Sequence, residues 1–325
     1  MNLYEKNGNI LYILNILKKY TDAEHLLQIK DIKEKINKLY NADIDPRTIR
    51  RNINLLKEKF GYDISTYAEN KEGYYILRDP DVDFEPGEIR AIIDQFSYAN
   101  YITPSVASEI IKKCKNMLNI YENEKLKDYQ IISNDTKTDN IEVIKNIEDI
   151  SKSIYEKKKI EFTYWKYELN KGLKKSNVNT IKCSPYAIIY SLQQFYLICL
   201  KDGASTMYTY RLDRMKHVRI LEEKSSKRIS KKEIDNYIKT NVAMFGGDNE
   251  EIEFDCNMEL LDMVIEQFGK NIILTKIDES TFHAKVNASI KGFKFFALRN
   301  IENVKITKPL TLKKEIKDII INYNK

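Results

Sequence analysis

The hydrophobic spacing of this chain changes period near residue 160, and that change constrains what each part can fold into. Before it, apolar residues recur at helical intervals. Ile10, Ile13, Leu14 and Leu17 form one stripe, Ile29, Ile32, Ile36 and Leu39 a second, and Ile49, Ile53, Leu56 and Phe60 a third. Ile89, Ile92, Ile93 and Phe96, then Val106, Ile110 and Ile111, continue the pattern, with Pro80, Pro86 and Pro104 as punctuation. After it, Ile160, Phe162 and Tyr164 alternate. YAIIY, FYLICL, MYTYRLDRM and VRIL follow, separated by SLQQ and KDGAST turns. Helices first and short strands later make an α+β chain, and 325 residues exceed what one core organises, so several domains are expected.

Charge divides the chain in the same places. The formal net charge of +6 is the sum of +3 over residues 1–78, −7 over 79–150, +11 over 151–245 and −1 over 246–325. A strongly basic block beside an acidic one implies a polyanion-facing surface. Lysine is abundant throughout, so arginine placement says more, because guanidinium is suited to bidentate phosphate and base contacts. Three of the ten arginines, Arg47, Arg50 and Arg51, fall within five positions, and Arg211, Arg214, Arg219 and Arg228 fall in the basic block.

Several classes are set aside. No stretch approaches the roughly 18 uninterrupted apolar residues of a membrane helix, and the N-terminus lacks the basic start and small-residue cleavage site of a signal peptide. Cys114, Cys183, Cys199 and Cys256 are far apart and read as reduced, mostly buried thiols of a cytoplasmic protein. His25, His217 and His283 lie in different regions, and there is no GxGxxG, GxxxxGK[ST] or GxSxG. The expectation is a binding protein and not an enzyme, with no metal and no cofactor.

In DPRTIRRNINLLKEKFG, Asp45 is placed to cap a helix, Pro46 to open it and Gly61 to stop it. Arg47, Arg51 and Asn54 lie opposite the apolar stripe, with Thr48 and Arg50 on its flanks. Gln28 stands where a Ser or Thr cap is expected for the preceding helix. A hairpin follows, with AENKEG as its turn. Three short helices and a hairpin are the parts of a winged helix-turn-helix, whose third helix enters the major groove N-terminus first. Arg47, Thr48, Arg50, Arg51 and Asn54 are then the DNA-facing residues, with Lys71 on the turn near an adjacent phosphate. The plainer alternative is an ordinary solvated face. Residues 79–150 read as an acidic helical linker, with 133–140 a loop.

The stretch IDPRTIRRNINLLKEKFGYDI…GYYIL resembles the N-terminal winged helix of WYL-domain bacterial transcriptional regulators, through Arg47, Thr48, Ile49, Arg51, Asn52, Gly61, Gly73 and Tyr74. Five short strands with tight turns over 151–245 suggest a small antiparallel barrel. That block resembles the WYL domain itself, an Sm-like or SH3-like barrel. Phe162, Tyr164 and Pro185 match, Phe195-Tyr196-Leu197 stands at the name-giving position with Phe for Trp, and Tyr210 to Met215 matches the closing strand. The resemblance implies a basic ligand-sensing pocket formed by Tyr164, Lys182, Ser184, Tyr196, Arg211 and Arg214. Tyrosines for stacking and arginines for phosphates agree with an anionic effector, a nucleotide or a single-stranded nucleic acid. Against this, tyrosines at strand spacing often serve packing, and Asp213 is placed to pair with Arg211 or another neighbour. By alternation, Tyr210, Leu212 and Arg214 point one way and Arg211 and Asp213 the other.

Residues 246–325, after a Gly246-Gly247 hinge, read as IEFDC strand, MELLDMVIEQFG helix, IILTKI and FHAKVNA strands, GFKFFALRN helix, VKIT strand and a last helix. This small α+β domain resembles the C-terminal extension of WYL proteins, which implies dimerisation. The whole reading is a cytoplasmic, homodimeric regulator of double-stranded operator DNA. Its rival is an RNA- or single-strand-binding module without regulatory output.

Overall fold

The structure, a computed structural model, describes residues 3–126, 136–169, 173–175, 180–226, 229–240 and 249–323. The expected Gly246-Gly247 hinge and Arg228 lie outside the described residues. The chain forms two compact units, residues 1–137 and 138–325.

The first unit opens with α1 (Leu3–Tyr20), α2 (Ile29–Tyr40) and α3 (Pro46–Phe60). Their stripes meet in a core of Ile13, Ile16, Leu17, Ile32, Ile36, Ile49, Ile53 and Leu56. Two residues expected in those stripes are exposed instead. Leu39 is 48% exposed and Phe60 63%, because each sits in the last turn of its helix, beyond the reach of its neighbours. At α2 the cap comes from Asp31, whose Oδ2 accepts from Gln28 N at 2.8 Å, so Gln28 needs no hydroxyl.

A two-stranded antiparallel hairpin follows, β1 (Ile64–Ser65) and β2 (Tyr75–Ile76), with Ile64 opposite Ile76. The residues expected as its turn contain a short helix, α4 (Tyr67–Asn70), where Thr66 N donates to Glu69 Oε2 at 2.7 Å. The hairpin is stitched to the chain before α2, for Leu27 and Tyr74 exchange backbone hydrogen bonds at 3.0 and 2.8 Å. This close approach requires Gly73: a Cβ there would stand 2.9 Å from Leu27 O.

The segment expected as an acidic spacer is packed. Helices α5 (Pro86–Tyr98) and α6 (Pro104–Lys115) share a core of Ile89, Ile93, Ile111, Cys114 and Leu118, and each has proline in its first turn. Helix α7 (Ile120–Lys125) supplies Glu122, which pairs with Arg78, and Asn119 Nδ2 donates to Thr21 O at 3.4 Å. The acidic surplus is thus partly spent on structure.

The second unit begins with α8 (Val143–Glu156), so the boundary expected at residue 150 falls inside a helix whose Ile150 is buried. A six-stranded antiparallel sheet follows: β3 (Lys158–Tyr167), β4 (Leu173–Lys175), β5 (Ile181–Ser191), β6 (Gln194–Lys201), β7 (Met207–Arg211) and β8 (Met215–Lys224). The strand order is β4-β3-β5-β6-β7, with β8 also on β3. Phe162, Ile160, Cys183, Leu197, Cys199, Leu212 and Met215 are fully buried in it.

The sheet is not closed into the expected barrel, for β7 and β8 do not pair among the described residues. A single 3-10 turn, Leu212–Arg214, separates them and ends the strand alternation expected there, so Leu212 and Asp213 are both buried. The carbonyls at this seam take side-chain donors in place of a ladder. Asn140 Nδ2 donates to Asp213 O and Met215 O at 3.0 and 2.8 Å, and Asn146 Nδ2 to Met215 O at 2.9 Å.

After α9 (Lys231–Thr240) come β9 (Asn249–Asn257), α10 (Leu261–Phe268), β10 (Ile273–Lys276), β11 (Thr281–Ser289), α11 (Ile290–Arg299), β12 (Val304–Lys308) and α12 (Leu310–Tyr323). The strand order β10-β11-β9-β12, all antiparallel, is the ferredoxin-like βαββαβ arrangement. Phe254, Phe268, Phe293 and Phe296 fill its core. Each strand and helix read from this segment is present.

Candidate functional site

Two groups of arginines stand out in the structure, and they are built differently. On α3, Asp45 Oδ1 accepts from Arg47 N at 2.8 Å, Pro46 opens the helix, and Gly61 closes it at φ 74°. Arg47, Arg50, Arg51 and Asn54 are exposed and Thr48 is half-buried, while Ile49, Ile53 and Leu56 are buried. None of the three guanidiniums has a hydrogen-bond or ion-pair partner among the described residues, so their donors face water. Asn52, in the sequence motif, is buried instead. Lys71 stands apart from this group. It caps α4 at φ 63° and its Nζ donates to Ala68 O at 2.9 Å. The short helix is held by Lys57, whose Nζ lies 2.5 Å from Glu69 Oε1, so Lys71 lies toward the C-terminal half of α3.

In the second unit, Tyr164, Tyr196, Arg211 and Arg214 come together where β3, β6 and β7 meet the 3-10 turn. Tyr196 lies directly opposite Arg211, and Tyr164 opposite Met215. Arg211 N donates to Tyr164 Oη at 3.4 Å. The Arg211 guanidinium clasps Asp213, with Nε to Oδ1 at 3.0 Å and Nη2 to Oδ2 at 2.8 Å. Burial opposes the Arg211 charge, but these bonds outweigh it and raise its pKa. Burial pushes the Tyr164 and Tyr196 hydroxyls up, so both stay protonated donors. Tyr210 packs edge-on against Tyr164 and Phe162, with centroids 5.1 and 5.2 Å away. The cluster can therefore offer aromatic surface, phenolic hydroxyls and guanidinium charge to an anion.

Lys182 and Ser184 are not part of this cluster. Ser184 is opposite Leu200, four residues along β6 from Tyr196, or about 13 Å at strand rise. Its Oγ lies 3.2 Å from Ser226 Oγ, and Lys182 pairs with Glu223. Strand register, which residue spacing does not encode, separates them. Conversely, sequence reasoning left Asp213 as one pairing partner among several, although it is the residue that holds Arg211 in place.

A family model described as "WYL domain" matches residues 145–220. The chain carries a WYL domain. Most of α8, β3 to β7 and most of β8 lie in that match, and so does the whole tyrosine–arginine cluster. No curated protein matches the chain. Among solved structures, one of proteasome accessory factor B/C (PafBC) of Arthrobacter aurescens is similar over 99% of this chain, at 12% identity and a TM-score of 0.26. The chain spans 49% of that protein's length. A structure titled as a CRISPR Cas-related protein is similar over 76% of this chain and 74% of its own, at 14% identity and a TM-score of 0.34. No described helix is long and apolar enough to cross a membrane, and no group of three or more metal-ligating residues occurs among the described residues.

Proposed function

We propose that this protein is a DNA-binding transcriptional regulator whose WYL domain senses an anionic effector. The observation that carries the reading is the set of three exposed guanidiniums, without partners among the described residues, on the first turns of a capped helix. Such an array attracts phosphate and reads base edges, and it leaves no internal carboxylate to be displaced first. The stitched hairpin beside α3 supports a winged helix-turn-helix. The tyrosine–arginine cluster supports recognition of a nucleotide or a short single strand, and binding rather than catalysis is the role of both sites. On this reading two copies bind a two-fold operator, and the effector shifts the affinity of α3 for it. In a gel-shift series on the native upstream region, Arg51→Ala lowers duplex affinity by about tenfold to a hundredfold. Equal binding by variant and wild type would sink the reading. Single strands bound as tightly as operator duplex at matched salt would favour an RNA- or single-strand-binding module.

A further inference from the structure

The second unit holds a half-open pocket of about 320 Å³, walled by Ile154, Pro185, Tyr186, Ile229 and Ile234. Besides Tyr186, two polar residues line it. Ser225 Oγ is buried with no hydrogen-bond partner among the described residues, and Lys157 lines the pocket where α8 ends. A buried hydroxyl with no partner is rare and costly, and one lining a cavity is explained by a molecule that completes it. Lys157 is exposed and has no ion-pair partner among the described residues. Its backbone is fixed against the serine, for Ser225 N donates to Lys157 O at 2.9 Å, so the two residues line the pocket side by side.

We propose that this cavity binds a small monocarboxylate with an apolar body. Ser225 Oγ–H donates to the carboxylate, Lys157 Nζ neutralises it, and the three isoleucines with Pro185 enclose the hydrocarbon. The volume is at the small end of ligand pockets, which suits a medium-chain or single-ring acid rather than a nucleotide. The site bears on signalling because α9 closes it through Ile234. The same helix is tied to β7 by Tyr237 Oη and Thr209 Oγ1 at 3.0 Å, and it packs on β11 of the ferredoxin-like part. Filling the cavity therefore fixes the helix that joins the two sheets.

The test uses the full chain with octanoate and octanol as probes, followed by saturation-transfer NMR. Octanoate binds, and octanol binds about tenfold more weakly because it cannot use the lysine charge. Ser225→Ala weakens octanoate about tenfold, and Lys157→Gln, a surface change that leaves the fold intact by circular dichroism, removes the preference for octanoate. Arg214→Gln changes neither. The proposal is overturned if octanoate gives no signal, or if octanol binds equally well. It is equally overturned if octanoate affinity falls in Arg214→Gln and not in Ser225→Ala, which would place the anion at the tyrosine–arginine cluster.

Discussion

Arg51 and Arg211 carry the same charge in opposite states of commitment. Arg51 is exposed, like two neighbouring arginines that have no partner among the described residues, whereas Arg211 is half-buried and bound twice by a carboxylate that is itself 3% exposed. The first contributes little to folding and is available to any polyanion. The second is structural until a ligand competes for it. A charge count cannot separate them: the +11 segment holds the committed arginine, and the +3 segment holds the three free ones.

The largest test of this contrast is Asp213→Ala. It strands a half-buried guanidinium and should cost about 3 kcal/mol, read as a lower urea midpoint. Arg47→Ala with Arg51→Ala should leave that midpoint within about 0.5 kcal/mol of wild type. Equal effects from the two variants would erase the distinction. Arg211→Ala is consequently a poor probe of effector binding, since it leaves Asp213 buried alone; Arg214→Gln is the better one. Next in size, Gly73→Ala forces a Cβ against the Leu27 carbonyl and should cost about 1–3 kcal/mol in the first unit alone. A smaller effect concerns salt. Each arginine on α3 that meets a phosphate adds about one to the salt slope of duplex binding, so Arg47→Ala should flatten that slope by about one.

The smallest effect is a pH dependence. The hydrogen bond from Lys57, then those from Thr66, hold Glu69 at about 2 against an ordinary 4.5. A carboxyl depressed on folding stabilises fully above its unfolded pKa, and the contribution disappears as pH falls from about 4.5 to about 2. Glu69→Gln should remove that component of acid destabilisation, seen as a shallower fall of melting temperature with pH.

Much of this was readable in residues. Asp45, Pro46 and Gly61 bound α3 because caps and stops act through local backbone geometry that the residue itself dictates. The ferredoxin-like part was legible for the same reason, with each element long enough to show its period. Short elements were not: α4 has a Thr66–Glu69 capping signature, yet four residues cannot display a helical repeat. Lys182 and Ser184 were assigned to the pocket without knowledge of register, and register decides which ends of neighbouring strands meet. The open seam between β7 and β8 was hidden too, since it depends on asparagines more than sixty residues away in sequence.

That seam makes one hydrogen-bonded object of parts that look independent. The turn that supplies Asp213 to Arg211 gives the Asp213 carbonyl to Asn140, and Met215 just after it gives its own to Asn140 and Asn146, at the start of the unit. On the proposed reading, a ligand that pulls Arg211 from its carboxylate would loosen the peptide whose oxygen Asn140 grips. The load then falls on the first residues after the junction at 137, and hydrogen exchange in α8 becomes a gauge of what the arginine is holding.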